Sequence, residues 1–418
     1  MANIIPFKAL RPRPDLAEQI AALPYDVYSR EEARRKVEGD VLSFLRIDRP
    51  ETQFPEDYDM YAPEVYEKAR DMLHEMIMRG EFVREDVPAY YVYELVMNGR
   101  SQTGIAACAS VDDYESGIIR KHENTRADKE ADRIRHVDIC NAQTGPIFLT
   151  YRRREEIQTQ VEKAMKNEPL YDFTADDGII HRVWRIDEKE AVQAIQDGFA
   201  KVDSVYIADG HHRCASAVRV SQRRREQNPD CTGQEAFEYF LSVIFPDDQL
   251  YIMDYNRLVK SLNGYTEETF LQKVKEIFWV EKIGDAPYHP AKKGEIGMYL
   301  QDTWYKLGIK DEMLTDDPVR DLDVAILQDR LLGPVLGILD PKSDTRIDFV
   351  GGIRGLEELE RRVKADCAVA FAMYPTDIHE LFAVSDAGRL MPPKSTWFEP
   401  KLRSGIFIHS LEDEKGAD

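Results

Sequence analysis

Apolar residues recur at helical spacing between Pro63 and Gly80. The residues on this stripe are Val65, Ala69, Leu73 and Met76. A repeat of three to four residues places all of them on one face of a helix. Gly80 is a natural stop, so the pattern predicts a helix that ends at this glycine.

After Ala89 the pattern changes to that of strands. The runs AYYVYELV and TGIAACASV are rich in aromatic, β-branched and small apolar residues, and Asn98-Gly99 lies between them. Asn-Gly between two apolar runs is the strongest short-range signal for a hairpin turn. The sequence therefore predicts a β-hairpin that ends near Val111.

Two further elements follow. Residues 125–138 predict a helix, with Thr125 and Asp128 as a capping pair at its start. Its predicted apolar stripe consists of Ala127, Ala131, Ile134 and Val137. The run VDSVYIAD at 202–209 predicts a short buried strand, and helical spacing resumes directly after it.

These elements predict a mixed α/β fold of the α+β kind. Turn chemistry divides the chain into an N-terminal region at 1–88, a core at 89–245 and a C-terminal α/β domain at 246–418. Beyond Pro246, helix and strand signals alternate and are interrupted by Gly351-Gly352 and by a Pro-Pro turn. A chain of 418 residues is long enough for two or three domains.

The acidic net charge excludes some classes of binding partner. Lys and Arg number 56 and Asp and Glu number 77, which gives a net charge of −21. Such a chain repels phosphate backbones and anionic lipid, so a dedicated nucleic-acid or membrane-surface protein is not expected. Five scattered cysteines without a CxxC pair, and no apolar run of about 20 residues, predict a cytoplasmic protein with reduced thiols. The oligomeric state stays open.

The segment Asp209-Gly210-His211-His212-Arg213 lies where the predicted strand meets the next helix. Gly210 permits a tight turn, and the helix start offers unpaired N–H groups to a phosphate. Arg213 and the imidazoles are further donors, while Asp209 could hold a metal ion or orient a histidine. The alternative is a capping Asp209 with ordinary surface histidines. Five such residues in a row are more than a cap requires, and the cluster favours a functional turn.

Polar and titratable residues also gather before the predicted helix at 125–138. The segment Lys121-His122-Glu123 precedes it, and Lys129, Asp132 and Arg133 follow within it. A carboxylate such as Glu123 can act as a general base when a substrate hydroxyl lies within hydrogen-bond reach. The alternative for Lys129, Asp132 and Arg133 is a solvated helix face with pairs three and four residues apart. For Glu123 the residues alone leave both interpretations open.

A third segment lies near the C-terminus. It comprises Met391, Pro392, Pro393, Lys394, Ser395, Thr396 and Trp397, with Lys401 and Arg403 close behind. Lys-Ser-Thr is typical of the end of a P-loop, but the glycines of that motif are absent, so a Walker A site is excluded. The segment is a basic, hydroxyl-rich turn that could contact phosphate, or a rigid proline-anchored loop.

These blocks resemble known families. The strand–DGHHR–helix unit resembles the second box of the ParB/sulfiredoxin superfamily, and the free serine kinases of that superfamily carry the same five letters. His122-Glu123 and the stretch Pro393–Thr396 resemble two further blocks of those kinases, in the same order. As a whole the chain resembles the DUF1015 family, whose members carry PYDV, RHENT, ADGHHR and KSTWF-like blocks in this order.

The resemblance implies a ParB/sulfiredoxin-like core and a kinase that transfers phosphate from ADP or ATP to free L-serine, with Mg²⁺. It implies Glu123, Asp209 and His211 as catalytic residues and Asp209 as the metal ligand. The phosphates would be bound by Gly210, His211, His212, Arg213, Lys394, Ser395 and Thr396. Substrate-binding or supporting roles would fall to His122, Lys129, Arg133 and Trp397.

Two other functions use the same residues. One is a phosphohydrolase acting on phosphoserine or nucleotide, and the other is a ParB-like nucleotide-binding regulator without turnover. Sulfiredoxin chemistry is excluded, because its cysteine is replaced by His211. A ParB-type DNA clamp is opposed by the net charge of −21. The blocks at Glu123, Asp209–Arg213 and Lys394–Thr396 are predicted to line one cleft.

Overall fold

The structure, a computed structural model, describes residues 1–412. The chain forms two compact units, which we call unit 1 (Met1–Leu250 with Pro400–Asp418) and unit 2 (Tyr251–Glu399). This division differs from the three regions that turn chemistry predicts. Residues 1–88 belong to the same compact unit as the predicted core, and the chain returns to that unit at Pro400. Turn signals mark chain reversals, and many of those lie inside one unit.

Unit 1 combines short and long strands with helices. Its strands are β1 (Ile4–Ile5), β2 (Leu10–Pro12), β3 (Phe82–Arg84), β4 (Tyr90–Met97), β5 (Arg100–Ser110), β6 (Ile119–Arg120), β7 (Ala142–Gln143), β8 (Ile147–Tyr151), β9 (Tyr171–Thr174), β10 (Ile180–Ile186), β11 (Val205–Asp209) and β12 (Tyr239–Pro246). Its helices are α1 (Ala17–Ile20), α2 (Arg30–Val37), α3 (Leu45–Asp48), α4 (Pro63–Met78), α5 (Val111–Glu115), α6 (Ala127–Cys140), α7 (Glu155–Ala164), α8 (Lys189–Phe199) and α9 (His211–Gln227).

The main sheet of unit 1 is mixed. Its strand order is β6-β11-β8-β12-β5-β4-β10-β9, and β1 pairs with β5. Strands β6 and β11 are parallel neighbours, with Val205 opposite Ile119. Parallel neighbours end at the same edge of a sheet, so the segments that follow β6 and β11 leave the sheet side by side.

The two clearest sequence patterns are confirmed. Helix α4 buries its predicted apolar stripe from Val65 to Met76. Strands β4 and β5 pair antiparallel across Asn98 and Gly99, which both have positive φ angles. Two left-handed residues in succession are the geometry of a type I′ hairpin turn.

Helix α6 differs from its prediction. It begins at Ala127 rather than Thr125, and its first residue has no side-chain cap. Ala127 and Ala131 of the predicted stripe are exposed, whereas Asp132 and Arg133 are buried. The cause is the polar partners that residues 1–88 supply to this helix.

The end of the chain crosses unit 1. Ser404 pairs with Ala22 through backbone hydrogen bonds in both directions, and Ile408 pairs with Leu10 in the same way. The last strand among the described residues (His409–Ser410) pairs with β7. The C-terminal segment therefore pairs with the N-terminal region and with β7 of the same unit.

Unit 2 is built on its own antiparallel sheet. Its strands are β13 (Ile252–Met253), β14 (Tyr255–Val259), β15 (Trp279–Gly284), β16 (Glu295–Leu300), β17 (Thr303–Gly308), β18 (Ile347–Gly351), β19 (Val369–Met373) and β20 (Trp397–Phe398). The strand His409–Ser410, which belongs to unit 1, is β21. The helices of unit 2 are α10 (Glu267–Ile277), α11 (Asp323–Leu327), α12 (Leu356–Ala365) and α13 (Ile378–Asp386). The sheet order is β15-β17-β16-β19-β14-β18.

The fold class is confirmed as mixed α/β. Both units combine helices with sheets, and the main sheet of unit 1 contains parallel as well as antiparallel pairs. All five cysteines are free thiols, as their scatter along the chain predicts. Across residues 1–412, no helix is long and apolar enough to cross a bilayer.

Candidate functional site

The turn between β11 and α9 is the centre of the candidate site. Asp209 ends β11, and Gly210 follows with a φ angle of +89° before α9 begins at His211. This left-handed conformation favours glycine. The first N–H groups of α9 have no partner within the helix, so they point at the space in front of the turn.

The segment after β6 lies against this turn. The backbone N–H of His122 donates to Nε2 of His211 at 3.5 Å, and their rings meet edge to face with centroids 4.5 Å apart. The backbone N–H of Arg126 donates to Nε2 of His212 at 3.0 Å. Residues 122 to 126 and the DGHHR turn therefore form one surface of unit 1, at the edge where β6 and β11 both end.

Glu123 lies in the irregular stretch between β6 and α6. Its side chain is partly exposed, whereas the neighbouring His122 is 1% exposed. The negative charge of Glu123 acts to raise the pKa of His122, against the larger lowering effect of burial. The carboxylate of Glu123 is therefore close to the ring of His122. A carboxylate that is open to solvent beside a helix N-terminus can meet both a substrate hydroxyl and a bound phosphate.

The carboxylate of Asp209 is stabilised by a lysine cation and a backbone N–H group. Its Oδ2 accepts a hydrogen bond from Nζ of Lys401 at 3.1 Å, and its Oδ1 accepts one from the backbone N–H of Gly210 at 2.8 Å. Burial alone would raise the pKa of Asp209, but the cations of Lys401 and Arg213 hold it well below its ordinary value. Asp209 is therefore a carboxylate at neutral pH.

Arg213 lies between two glycines. A Cβ atom added at Gly210 would be 3.1 Å from Nε of Arg213, and one added at Gly145 would be 3.7 Å from its Nη1. Nη1 donates to the carbonyl of Pro146, while Nε is buried without a hydrogen-bond partner in the described part of the chain. A partly buried guanidinium with an unused N–H group can still bind an anion.

Two histidines of the site, His122 and His211, are uncharged at neutral pH. Burial and the adjacent His211 lower the pKa of His122 to about 3. Burial, opposed by Asp209, lowers the pKa of His211 to about 4. Neutral imidazoles contribute hydrogen bonds rather than charge, so the positive charge that stabilises the Asp209 carboxylate comes from Lys401 and Arg213.

We expect the free energy of unfolding to decrease as the pH falls from 6.5 toward 4. An unfolded histidine binds a proton near pH 6.5, whereas His122 and His211 stay neutral in the folded protein. The unfolded state therefore binds more protons in this window, which favours unfolding by up to about 1.4 kcal/mol per pH unit for each histidine. Denaturant titrations of wild type and His122→Gln measure the effect.

The matched control is His74→Gln, because His74 is exposed on α4. We expect the slope of stability against pH to become flatter in His122→Gln and to stay unchanged in His74→Gln. Equal slopes in all three proteins would show that His122 is protonated in the folded state.

Asp132 and Arg133 on α6 are buried, so the interpretation of these two residues as part of a solvated helix face is wrong. Arg133 and Asp132 form an ion pair of 2.9 Å with both side chains 8% exposed. The hydroxyl of Tyr66 donates to Asp132 at 2.9 Å, and Arg133 lies 4.2 Å above the ring of Tyr25. Lys129 remains partly exposed on the first turn.

The Lys-Ser-Thr loop belongs to unit 2. Lys394 is exposed with a φ angle of 61°, and its carbonyl accepts a hydrogen bond from Arg257 at 2.9 Å. Ser395 is 2% exposed, and its hydroxyl donates to the carbonyl of Pro392 at 2.6 Å. The serine hydroxyl thus stabilises its own loop, while Lys394 and the partly exposed Thr396 are the polar side chains open to solvent.

Trp397 also serves the local fold of unit 2. Its ring meets that of Tyr255 edge to face at 5.0 Å and covers Gly351, where a Cβ atom would lie 2.5 Å from the indole. Its Nε1 donates to Glu399 at 2.8 Å. Packing accounts for this tryptophan, and the phosphate and substrate roles of the loop stay predictions.

Two residues of the site were not assigned a role from the sequence. Lys401 contacts Asp209 directly although 192 positions separate them. Tyr25 of the PYDV block stacks on Arg133. In the sequence, Lys401 is a basic residue that follows the Lys-Ser-Thr loop, and Tyr25 is an aromatic residue within the PYDV block. Neither feature indicates which residue the side chain contacts.

Comparisons with known proteins give the following matches. A family model described as "Protein of unknown function (DUF1015)" matches residues 4–325. No curated protein matches the chain. Among solved structures, C-terminally truncated SbnI from Staphylococcus aureus is 13% identical, with 74% of this chain and 90% of that chain covered and a TM-score of 0.37.

Two other solved structures are similar at the same level. Free serine kinase in complex with AMP is 14% identical, with 71% of this chain and 86% of that chain covered and a TM-score of 0.32. A conserved hypothetical protein from Pyrococcus furiosus is 15% identical, with 74% of this chain and 96% of that chain covered and a TM-score of 0.34.

Proposed function

The chain belongs to the DUF1015 family, and we propose that it is a nucleotide-dependent kinase that phosphorylates the hydroxyl group of free L-serine to O-phosphoserine. The observation that carries the proposal is the direct contact of the His122-Glu123 segment with the DGHHR turn. Glu123 is partly exposed and directly follows His122, which contacts His211 at the start of α9. A base next to a phosphate-binding turn is the minimum that phosphoryl transfer to a hydroxyl requires.

The nucleotide phosphates would bind in front of Gly210. The backbone N–H groups at the start of α9 and the guanidinium of Arg213 would donate to the phosphate oxygens. His211 and His212 each accept a hydrogen bond from a backbone N–H group of residues 122 to 126, and these bonds fix the turn against that segment. The same groups would stabilise the charge that develops on the transferred phosphoryl group.

Glu123 would accept the proton of the serine hydroxyl. As the serine oxygen forms its bond to the terminal phosphorus, the bond from that phosphorus to the bridging oxygen breaks. The nucleotide leaves as the monophosphate when ADP is the donor and as the diphosphate when ATP is the donor. Phosphoryl transfer depends mainly on positioning and charge stabilisation, so few catalytic side chains are needed.

Asp209 is the residue of this turn that could bind a magnesium ion. Mg²⁺ in such enzymes is held by one or two carboxylates together with substrate phosphates. Asp209 is a carboxylate at the phosphate-binding turn, but its Oδ2 is bonded to Lys401. Asp209 would hold the ion, which neutralises phosphate charge, when Lys401 gives up this oxygen.

Replacing Lys401 with Met is expected to lower the Mg²⁺ concentration for half-maximal turnover severalfold. The change keeps the apolar stem of the side chain and removes the cation that competes for Asp209. The measurement is a magnesium titration of serine-dependent turnover at fixed nucleotide. An unchanged magnesium dependence would exclude Asp209 as the metal ligand.

A phosphoacceptor screen tests the proposed reaction. The full chain is incubated with ADP or ATP and Mg²⁺, with and without L-serine, and nucleotide consumption and inorganic phosphate are both measured. Serine-dependent consumption without phosphate release supports the kinase. Phosphate release that does not depend on serine would indicate the phosphohydrolase, and binding without turnover would indicate the regulator.

A further inference from the structure

A small cavity with both polar and apolar lining residues lies in unit 1, next to the proposed phosphate-binding turn. Its volume is about 30 Å³, and it is lined by residues from distant stretches of the chain. Those that carry the argument are Tyr25, Asp48, Arg133, Arg213 and Ser404. A cavity of this size has room for about two water molecules. The N-terminal region thus forms a section of the wall behind Arg213.

One wall of the cavity is rigid. The guanidinium of Arg133 is paired with Asp132 at 2.9 Å, donates to the carbonyl of Asp48 at 3.3 Å and lies 4.2 Å above the ring of Tyr25. The backbone carbonyl of Tyr25 is itself fixed, because it accepts a hydrogen bond from Arg49 at 2.9 Å. Pairing, stacking and backbone contacts therefore hold Arg133 and Tyr25 in place together.

Arg213 also lines the cavity, and its position is less constrained. Its Nη1 donates to the carbonyl of Pro146, and its Nε is buried without a partner in the described chain. The two glycines beside it leave space along the side chain. Without a barrier, such a side chain can relax into the cavity and away from the turn.

Arg133 and Tyr25 supply that barrier. Arg133 and Arg213 carry like charges and line the same cavity, so they repel each other. The ring of Tyr25 lines the same cavity and fills space that the side chain of Arg213 could otherwise enter. Both effects favour the position of Arg213 beside Gly210.

We propose that Tyr25 and Arg133 are positioning residues, which hold the guanidinium of Arg213 at the phosphate-binding turn. The role of residues 1–88 is then to complete the phosphate site from behind. This inference rests on the proposed function only in taking a nucleotide phosphate as the ligand of Arg213.

Tyr25→Leu tests the inference in the full chain, with ADP binding measured by calorimetry. We expect the affinity for ADP to fall about tenfold, because loss of the ring enlarges the cavity on the side that Arg213 can enter. Tyr25→Phe keeps the ring and is expected to retain an affinity within about twofold of wild type. Arg133→Lys keeps the charge but loses the planar stack, and a smaller decrease is expected.

A double-mutant cycle separates positioning from general damage. In an Arg213→Ala background, Tyr25→Leu is expected to cause no further loss of ADP affinity. Phe82→Leu is the matched control, since it removes a ring from the buried core of the N-terminal region without lining the cavity. Its ADP affinity is expected to equal that of wild type even if its melting temperature falls.

The outcomes distinguish the two proposals. If Arg213→Ala alone leaves the affinity unchanged, the proposed phosphate site is wrong and the positioning role falls with it. If Arg213→Ala weakens binding but Tyr25→Leu does not, or weakens it equally with and without Arg213, only the positioning role is overturned. If Tyr25→Leu does not fold, the same cycle with Arg133→Lys decides between these results.

Discussion

Glu123→Gln is expected to lower serine-dependent turnover at least about 100-fold, while the affinity for nucleotide stays nearly unchanged. The amide has the shape of the carboxylate but cannot accept the hydroxyl proton. Glu123 lies outside the turn that would bind the phosphates, so the ground-state complex loses little. Turnover and nucleotide affinity are measured separately, by a coupled assay and by calorimetry.

Glu130→Gln is the matched control for this variant. Glu130 lies on the first turn of α6 and accepts a hydrogen bond from Thr125 at 2.8 Å, so its loss perturbs the same segment without removing the proposed base. We expect its turnover to stay within about threefold of wild type. If Glu123→Gln retained most of its activity, Asp209 would become the candidate base and Glu123 a residue of the helix start.

Arg213→Ala is expected to weaken ADP binding by about 1.5–3 kcal/mol, which corresponds to a factor of roughly 10 to 150. The lost interaction is a charge-assisted contact between a mostly buried guanidinium and a phosphate. Arg219→Ala removes an exposed arginine from the same helix and is the matched control. Equal ADP affinities of the two variants, with both folded, would remove the DGHHR turn from the nucleotide site.

The local geometry of the site could be predicted from the sequence. The strand, Gly210 and the following helix are adjacent in the chain, so their geometry follows from turn chemistry and periodicity. Likewise, Asn98-Gly99 and the stripe of α4 act over a few residues. Adjacency of the His122-Glu123 segment to the turn was expected from the family resemblance, and the parallel pairing of β6 with β11 explains it physically.

The other features of the site depend on contacts between residues far apart in the sequence, which local sequence patterns do not predict. The two interpretations of Asp132 and Arg133 could not be separated by spacing, because their burial depends on Tyr25 and Tyr66 from the N-terminal region. For the same reason, the predicted stripe on α6 assigned two exposed alanines to the core. Lys401 reaches Asp209 because the end of the chain returns to unit 1, and turn signals near residue 246 do not reveal such a return.

The most direct test of the central claim is to observe the product. The full chain is incubated with L-serine, Mg²⁺ and either ADP or ATP, and the reaction is followed by ³¹P nuclear magnetic resonance, with Glu123→Gln measured in parallel. The account predicts that the signal of O-phosphoserine appears with wild type, in equal amount to the nucleotide consumed, and is nearly absent with the variant. Nucleotide that stays intact, or that yields only inorganic phosphate in the presence of serine, would contradict it.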